Sequence, residues 1–243
     1  MNIVLRLVSL VFMFCLPVFL VLSVVRGVVA APFTYEMALS ISNAEIVTGI
    51  DSTELIVIGK ETSNYLLGRS GPVLDPSVTL SDGSVIKIFN QREIDHMVDV
   101  RELMNKLWRL HEFMFLLIIV RLVISFLFEK KESLPNISQE TRMSGMLSLI
   151  ILAFAGVSSL LLFDQFFLQF HEMFFSNDLW QLDPKTDRLI QIYPRDFWFG
   201  ALFVTACFVI FLLLIVSGMA QWYLRSASKA SDQRGQLERQ RLT

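Results

Sequence analysis

Residues 166–198, FFLQFHEMFFSNDLWQLDPKTDRLIQIYPRDFW, lie between two long apolar runs and combine one histidine and several carboxylates with many aromatic side chains. Phe, Trp and Tyr are typical of the interface between the hydrocarbon core of a membrane and water. The stretch therefore predicts a loop that leaves and re-enters a membrane at one surface. His171 is expected where hydrocarbon meets water.

The composition of the whole chain favours an integral membrane protein. Its 243 residues are 53% hydrophobic and 18% charged, with a mean hydropathy of +0.55, whereas soluble domains are about 25% charged. The net charge of -2 says nothing about nucleic acid, but no basic stripe with interleaved aromatic residues occurs outside the tails, which argues against a nucleic-acid partner. Cys15 and Cys207 fall inside apolar runs, which indicates neither a disulfide nor a thiol redox pair.

Four apolar runs approach the roughly 20 residues that a helix needs to cross a bilayer. A cleaved signal peptide is the alternative for the first run, 7–25, but apolar cores of signal peptides usually have about 7–15 residues. We therefore predict a membrane all-α fold, a four-transmembrane-helix bundle with a small mixed α/β extracytoplasmic cap. Because basic residues concentrate in the amino-terminal segment, the second loop and the tail, both termini are expected in the cytoplasm.

The predicted segments follow the chain in this order: transmembrane helix one at 1–31, the cap at 32–90, helix two with its outer half at 91–128, a cytoplasmic loop at 129–142, transmembrane helix three at 143–165, an extracytoplasmic loop at 166–196, transmembrane helix four at 197–224 and a cytoplasmic tail at 225–243. Asn90 followed by Glu93 predicts the start of helix two. Arg121, near the end of that helix, is expected to extend its side chain to the nearer membrane surface.

Two local patterns predict the structure of the cap. Asp51 followed by Glu54 resembles a capping box, and apolar residues follow at helical spacing, so one amphipathic helix is expected to end near Gly68. Short β-type runs flank residues 81–84, SDGS, and an Asp-Gly pair in such a position is a hairpin signal. The cap is therefore expected to contain both helix and strand.

The chain has three histidines, and acid–base chemistry must come from them or from carboxylates, because no Ser or Cys lies in a recognisable nucleophile motif. At about 1.5 Å per residue along unbroken helices, His96 stands roughly 51 Å above Lys130 and His171 roughly 44 Å above Arg142. These two histidines are therefore expected at similar depth. His111 is only about 28 Å above Lys130 on this scale and is expected to be structural.

Two stretches around these histidines carry a resemblance: IFNQREIDHMVDVRELM (88–104) and FHEMFFSNDLWQLDPKTDRLIQIYPRDFW (170–198). On a four-span chain they resemble the bacterial family of lipoprotein intramolecular transacylases. The resemblance implies a multi-pass enzyme of the bacterial cytoplasmic membrane with two essential histidines on the extracytoplasmic side. The matching residues here are His96 and His171, and no family role matches His111.

The implied reaction moves the sn-2 acyl chain of a lipoprotein's diacylglyceryl group to the α-amine of its amino-terminal cysteine. The product is an N-acyl S-monoacylglyceryl, or lyso-form, lipoprotein, and the implied partners are the diacylglyceryl lipoprotein and membrane lipids. A neutral histidine, with a reference pKa of about 6.5, can take a proton from an α-amine, whose reference pKa is about 7.7–8.0. The second histidine can serve the departing glyceryl oxygen or the oxyanion. No cofactor or metal is required.

Two other classes of function stay open. A zinc-dependent membrane lipid amide or ester hydrolase would use three histidines and a bound water. On one unbroken helix, however, His96 and His111 lie roughly 22 Å apart, too far to share an ion. A non-enzymatic membrane transport or assembly subunit would also be apolar, although the broken helices typical of carriers are scarce in this sequence.

Overall fold

The computed structural model describes residues 3–79 and 83–241, which are mostly helical. In chain order the elements are α1 (Ile3–Ala30), α2 (Pro32–Ser42), α3 (Ala44–Thr48), α4 (Ser52–Leu66), β1 (Ser77–Thr79), β2 (Val85–Lys87), α5 (Gln91–Ile124), α6 (Ser133–Leu161), α7 (Phe163–Phe174), α8 (Arg188–Ile192) and α9 (Arg195–Arg241). A π-helical turn, Ser125–Glu129, and a 3-10 turn, Lys130–Glu132, connect α5 to α6.

Three stretches within the described residues are long and apolar enough to cross a membrane: Ile3–Ala30, Gln91–Gly156 and Arg195–Gln233. Many large apolar side chains on these helices are exposed, as expected where lipid rather than water surrounds a protein. The chain is a multi-pass membrane protein. The middle stretch covers both α5 and α6, so the count of four membrane helices stays a prediction.

Contacts divide the described residues into two compact units. The first contains residues 3–21, 111–154 and 207–241, and the second contains residues 22–110 and 155–206. In the first unit, α1 and α5 bury an apolar cluster of Phe12, Cys15, Met114 and Ile118. Cys15 is thus a packing residue.

Within the first unit the chain folds back between α5 and α6. Lys130 has φ 50° and ψ -108°, which ends the helical path. Arg121 contacts Glu140 although 19 residues separate them, and a straight helix would hold residues at that spacing about 28 Å apart. The predicted loop at 129–142 is therefore too long, because α6 already begins at Ser133. Pro135 is tolerated there, because a backbone N–H group in the first turn of a helix has no acceptor within the helix, and proline therefore loses no hydrogen bond.

Arg121 does not extend to a membrane surface, and that expectation is wrong. Its side chain is 1% exposed and lies between two carboxylates. The guanidinium donates to both oxygens of Glu140, at 3.0 and 2.6 Å, and forms an ion pair with Glu129 at 3.0 Å. Ser9 donates to Glu140 at 2.6 Å, while Ser125 and Asn136 donate to Glu129 at 2.7 and 3.0 Å. We call this set the Arg121 network.

The second unit contains the segment between α1 and α5. The predicted helix is α4: the carboxylate of Asp51 accepts a hydrogen bond from the backbone N–H of Thr53 at 2.8 Å, and Gly68 follows the helix at φ 72°. Two further helices, α2 and α3, were not predicted. Gly59 of α4 lies against α2, and a Cβ added there would come within 2.8 Å of the Cβ of Tyr35, so that only glycine permits this packing.

The predicted strands are also present in the second unit. β1 pairs antiparallel with β2, with Val78 opposite Ile86, and the side chain of Lys87 binds Asp75 at 2.5 Å. The predicted turn at 81–84 falls partly on residues 80–82, which lie outside the described residues. One buried core joins α2, α4, the strands and α8. It contains Tyr35, Leu55, Ile58, Tyr65, Val78, Ile88, Leu189, Ile192 and Tyr193.

Two other helix boundaries differ from those expected. Helix three is not unbroken: Leu162, at φ -120° and ψ 37°, separates α6 from α7, and α7 continues to Phe174 in what was expected to be a loop. The polar tail at 225–243 is not a separate segment, since α9 continues to Arg241. Its Ala, Lys, Gln and Arg residues are good helix formers.

Candidate active site

Two histidines meet inside the second unit. His96 lies on α5 and His171 on α7, and their ring centroids are 6.2 Å apart. The side chains are buried, with only 7% and 8% of their surfaces exposed. The expectation that these two residues lie close together is confirmed, although helix three is interrupted.

The start of α5 explains why His96 has a defined position. Asn90 and Glu93 form a reciprocal cap: the Asn90 side chain accepts from the backbone N–H of Glu93 at 3.0 Å, and the Glu93 carboxylate accepts from the backbone N–H of Asn90 at 2.8 Å. Such a box satisfies two backbone donors that a helix start otherwise leaves free. The predicted helix start at Asn90 is thereby confirmed, and His96 follows within two turns.

The same cap also binds the segment that precedes α9 to the start of α5. The second oxygen of Glu93 accepts from the backbone N–H of Leu189, and Asn90 donates to Asp187 at 2.9 Å. Tyr193, which follows α8 in this segment, donates from its hydroxyl to the Thr62 hydroxyl at 3.3 Å. Burial raises the pKa of Tyr193. Asp187 is buried, and its carboxylate also accepts from the backbone N–H of Asp183 at 2.7 Å.

The orientation of His171 is set within α7. Its Nδ1 lies 2.7 Å from the backbone carbonyl oxygen of Phe167, one turn earlier. A carbonyl oxygen only accepts hydrogen bonds, so Nδ1 carries the hydrogen and donates it. In the neutral ring Nε2 is then the nitrogen with the free lone pair. Burial lowers the pKa of His171 below 6.5, while the hydrogen bond to Phe167 acts in the opposite direction.

Aromatic side chains surround the two imidazoles. Phe175 contacts both, with centroid distances of 5.3 Å to His96 and 5.6 Å to His171. Phe167 and Trp180 lie 4.3 and 4.9 Å from His171. These rings limit the access of water to the pair, and they would suit acyl chains equally well.

The loop after α7 is tied to α5 next to the histidines. Asn177 donates to the Asp99 carboxylate at 2.8 Å, and the Arg92 guanidinium donates to the backbone carbonyl oxygens of Asp178 and Leu179. Through these bonds Trp180 is kept against His171. The sequence places Asp99 three residues after His96, but nothing in it points to Asn177 and Trp180, because no spacing along the chain relates them to α5.

His111 belongs to the first unit and is not part of this pair. Its ring stacks on Phe19 of α1 at 4.7 Å with an interplanar angle of 7°. Asp164, at the start of α7, forms an ion pair with Arg195 at the start of α9. Over residues 3–79 and 83–241, no three His, Cys, Asp or Glu side chains are grouped so that they could ligate one metal ion.

A model of a known protein family matches most of the chain. The family model described as "Lipoprotein intramolecular transacylase Lit" matches residues 10–198. The matched range includes α5 and α7 and therefore both buried histidines. A protein of Aquifex aeolicus (strain VF5) described as uncharacterized is 25% identical over 169 residues, which are 69% of this chain and 72% of that protein.

Solved structures of similar fold come from Bacillus cereus. Its membrane integral lipoprotein intramolecular transacylase Lit has a TM-score of 0.66 and 19% identity, covering 95% of this chain and 98% of that chain. Two structures of that protein with a histidine replaced by arginine or alanine each have a TM-score of 0.70 at 17% identity. They cover 94% and 93% of this chain, and 95% and 96% of theirs. At such identities the similarity concerns the fold.

Proposed function

Because this chain belongs to the lipoprotein intramolecular transacylase family, a family of membrane acyltransferases, we propose that it acts on lipoproteins that carry a diacylglyceryl group on the amino-terminal cysteine. The sn-2 acyl chain moves to the α-amine of that cysteine, and a lyso-form lipoprotein results. The observation that carries this proposal is the contact between His96 and His171, two buried imidazoles from different helices, 6.2 Å apart.

The reaction needs one proton transfer at the attacking nitrogen and another at the departing glyceryl oxygen. Both atoms are bonded to the ester carbonyl carbon while the C–N bond replaces the C–O bond. The amine nitrogen attacks the ester carbonyl carbon and forms the C–N bond, and the glyceryl oxygen leaves as the C–O bond breaks. The nitrogen must lose hydrogen, and the oxygen must gain one. Two proton-carrying groups a few ångströms apart can serve both atoms without moving.

The orientation of the imidazoles supports distinct roles. His171 has its free lone pair on Nε2 because Nδ1 donates to Phe167, so it acts as the base that takes hydrogen from the attacking nitrogen. His96 first takes a proton from the substrate ammonium and then donates it to the departing glyceryl oxygen. His171 finally releases its proton to solvent, which balances the reaction from ammonium and ester to amide, alcohol and one proton.

The membrane arrangement that suits this chemistry has four spans and two cytoplasmic termini. The His96–His171 pair then lies on the extracytoplasmic side, below a cap formed by residues 32–90. A diacylglyceryl ester in the outer leaflet can reach that position, while exposed apolar helix faces remain in contact with lipid. The reaction needs no cofactor, because amine and ester belong to one molecule.

Mass spectrometry of lipoprotein amino-termini tests the proposal. Cells that express the chain should contain N-acyl S-monoacylglyceryl peptides that control cells lack. His96→Ala and His171→Ala should each abolish this product, and the double variant should be no worse than either, because groups that act as one unit are not additive. His111→Ala is the matched control and should retain substantial activity.

Two results would overturn the proposal. One is a single variant, His96→Ala or His171→Ala, that keeps near-wild-type turnover while it is present in the membrane. The other is loss of activity with a chelator and its recovery with zinc, which would favour the metal-dependent hydrolase. Immunoblots of membrane fractions separate true inactivity from loss of the protein.

A further inference from the structure

Asp99 lies beside His96 on α5 but has no part in the proton transfers described above. The two residues are three positions apart, which places them next to each other on one helix face. An Asp99 carboxylate at this spacing can attract a positively charged imidazole on His96. Its side chain is only half-buried, so a ligand at the histidines can reach it.

The hydrogen bonds of Asp99 leave one oxygen available. Oδ2 accepts from the side chain of Asn177 at 2.8 Å, which fixes the orientation of the carboxylate. Within the described part of the chain, Oδ1 receives no hydrogen bond. Nδ1 of His96, more than nine-tenths buried, likewise has no hydrogen-bond partner there. Two neighbouring side chains of α5, three positions apart, thus each have an atom without a hydrogen-bond partner: a carboxylate oxygen of Asp99 and an imidazole nitrogen of His96.

A positive ligand group with several N–H donors fits this arrangement. An α-amine has a reference pKa of about 7.7–8.0 and is mostly protonated near neutral pH. Moving such an ammonium among the aromatic rings around His96 is costly unless a carboxylate accepts a hydrogen bond from it. Resting on the proposed function, we propose that Asp99 binds the α-ammonium of the lipoprotein substrate and holds it beside His96.

The proposal assigns separate tasks to neighbouring side chains. Asp99 accepts one N–H of the ammonium on Oδ1, and His96 takes a second hydrogen, which leaves a neutral amine able to attack the ester. The negative charge of Asp99 then stabilises the positive imidazole of His96 until its proton passes to the glyceryl oxygen. Asn177 is a positioning residue that acts through Asp99.

Binding measurements with two ligands test the inference. The first ligand is a synthetic diacylglyceryl lipopeptide with a free α-amine, and the second is the same lipopeptide acetylated on that amine. Both are measured near pH 7 on purified His171→Ala protein, which cannot turn over the first ligand. Adding Asp99→Asn should weaken binding of the free-amine ligand at least about tenfold, as expected for loss of a charged hydrogen bond. Binding of the acetylated ligand should change less than about twofold.

Asp95→Asn is the matched control, since it removes the same charge from the same helix at an exposed position. It should alter neither affinity. Three results for the Asp99→Asn variant would overturn the inference: equal weakening of binding of both ligands, no binding of either ligand, or unchanged binding of the free-amine ligand. The proposed function fails differently, through the absence of lyso-form product with wild-type protein, whatever the two affinities are.

Discussion

At the scale of single residues, the bond from His171 Nδ1 to the Phe167 carbonyl oxygen has a consequence for the pH dependence of activity. Burial lowers the pKa of His171 below 6.5, and only the neutral ring can act as a base. Activity should therefore persist below pH 6.5 and disappear as the pH falls through the lowered pKa. The acidic limb of kcat/KM against pH should have its midpoint below 6.5, because His171 must be neutral in the free enzyme and this limb reports the protonation of such essential groups.

Phe175→Ala provides the comparison for this prediction. Phe175 contacts both imidazoles, so its removal should admit water and move the midpoint of the acidic limb upward toward 6.5. A wild-type midpoint at or above 6.5 would contradict the assignment of His171 as the base. The same burial affects stability, since the unfolded chain binds a proton at a higher pH than the folded protein. The contribution of His171 to stability is complete above pH 6.5 and is lost as the pH falls below it.

At the scale of elements, the Arg121 network joins the end of α5 to the start of α6. Arg121→Met would leave the carboxylates of Glu129 and Glu140 facing each other without a cation. Breaking a buried ion pair in this way costs about 3–5 kcal/mol, so the midpoint of thermal unfolding in detergent should fall clearly. Arg109→Met, an exposed change on the same helix, should alter stability by about 0.5 kcal/mol or less.

A triple variant separates charge imbalance from lost packing. Adding Glu129→Gln and Glu140→Gln to Arg121→Met removes both uncompensated charges and should restore at least half of the lost stability. If the triple variant unfolds at a lower temperature than Arg121→Met alone, the network is not held by charge balance. Equal stability of Arg121→Met and Arg109→Met would contradict the prediction outright.

Local patterns in the sequence predicted the elements whose signals lie within a few residues. The Asp51 cap, the start of α5 at Asn90 and the paired strands all have such signals. The rise per residue of a helix alone predicted that His96 and His171 lie at similar depth. The family resemblance identified them as the site residues. No proline or glycine lies next to Leu162, so the sequence does not predict the break between α6 and α7.

Contacts between distant residues account for what was missed. The polar run before Met143 is helical because Asn136 and Glu140 turn toward Glu129 and Arg121, which hydropathy alone does not reveal. α2 lies directly after the one-residue break at Ala31 and depends on the fit of Tyr35 over Gly59. Asn177 reaches Asp99 across 78 residues of chain, so its role at the site could not be inferred from spacing.

At the scale of the whole molecule, the proposed arrangement has both termini in the cytoplasm and the histidine pair outside. Cys15 and Cys207 are first replaced by alanine, and a single cysteine is then introduced by Ser176→Cys or Ser228→Cys, both at exposed positions. A membrane-impermeant maleimide should label Ser176→Cys in intact cells or spheroplasts. It should label Ser228→Cys only after lysis, because positive charge favours the cytoplasmic side.

The reverse labelling pattern would place the histidine pair in the cytoplasm and contradict the proposed topology. Labelling of both positions in intact cells would instead put them on the same side and indicate an even number of spans between them. Retained transacylase activity in each cysteine variant is the control that the labelled protein is correctly inserted.

The contact of Trp180 with His171, whose ring centroids lie 4.9 Å apart, gives the protein an internal optical reporter. A protonated imidazole quenches indole fluorescence far more strongly than a neutral one, so the emission of Trp180 should follow the charge of His171 directly. With Trp108, Trp198 and Trp222 replaced by phenylalanine, the remaining emission can be followed during a single turnover. The arrival of a proton on His171 can then be timed against formation of the amide, which separates the proton transfer from acyl movement in a way that product analysis alone does not.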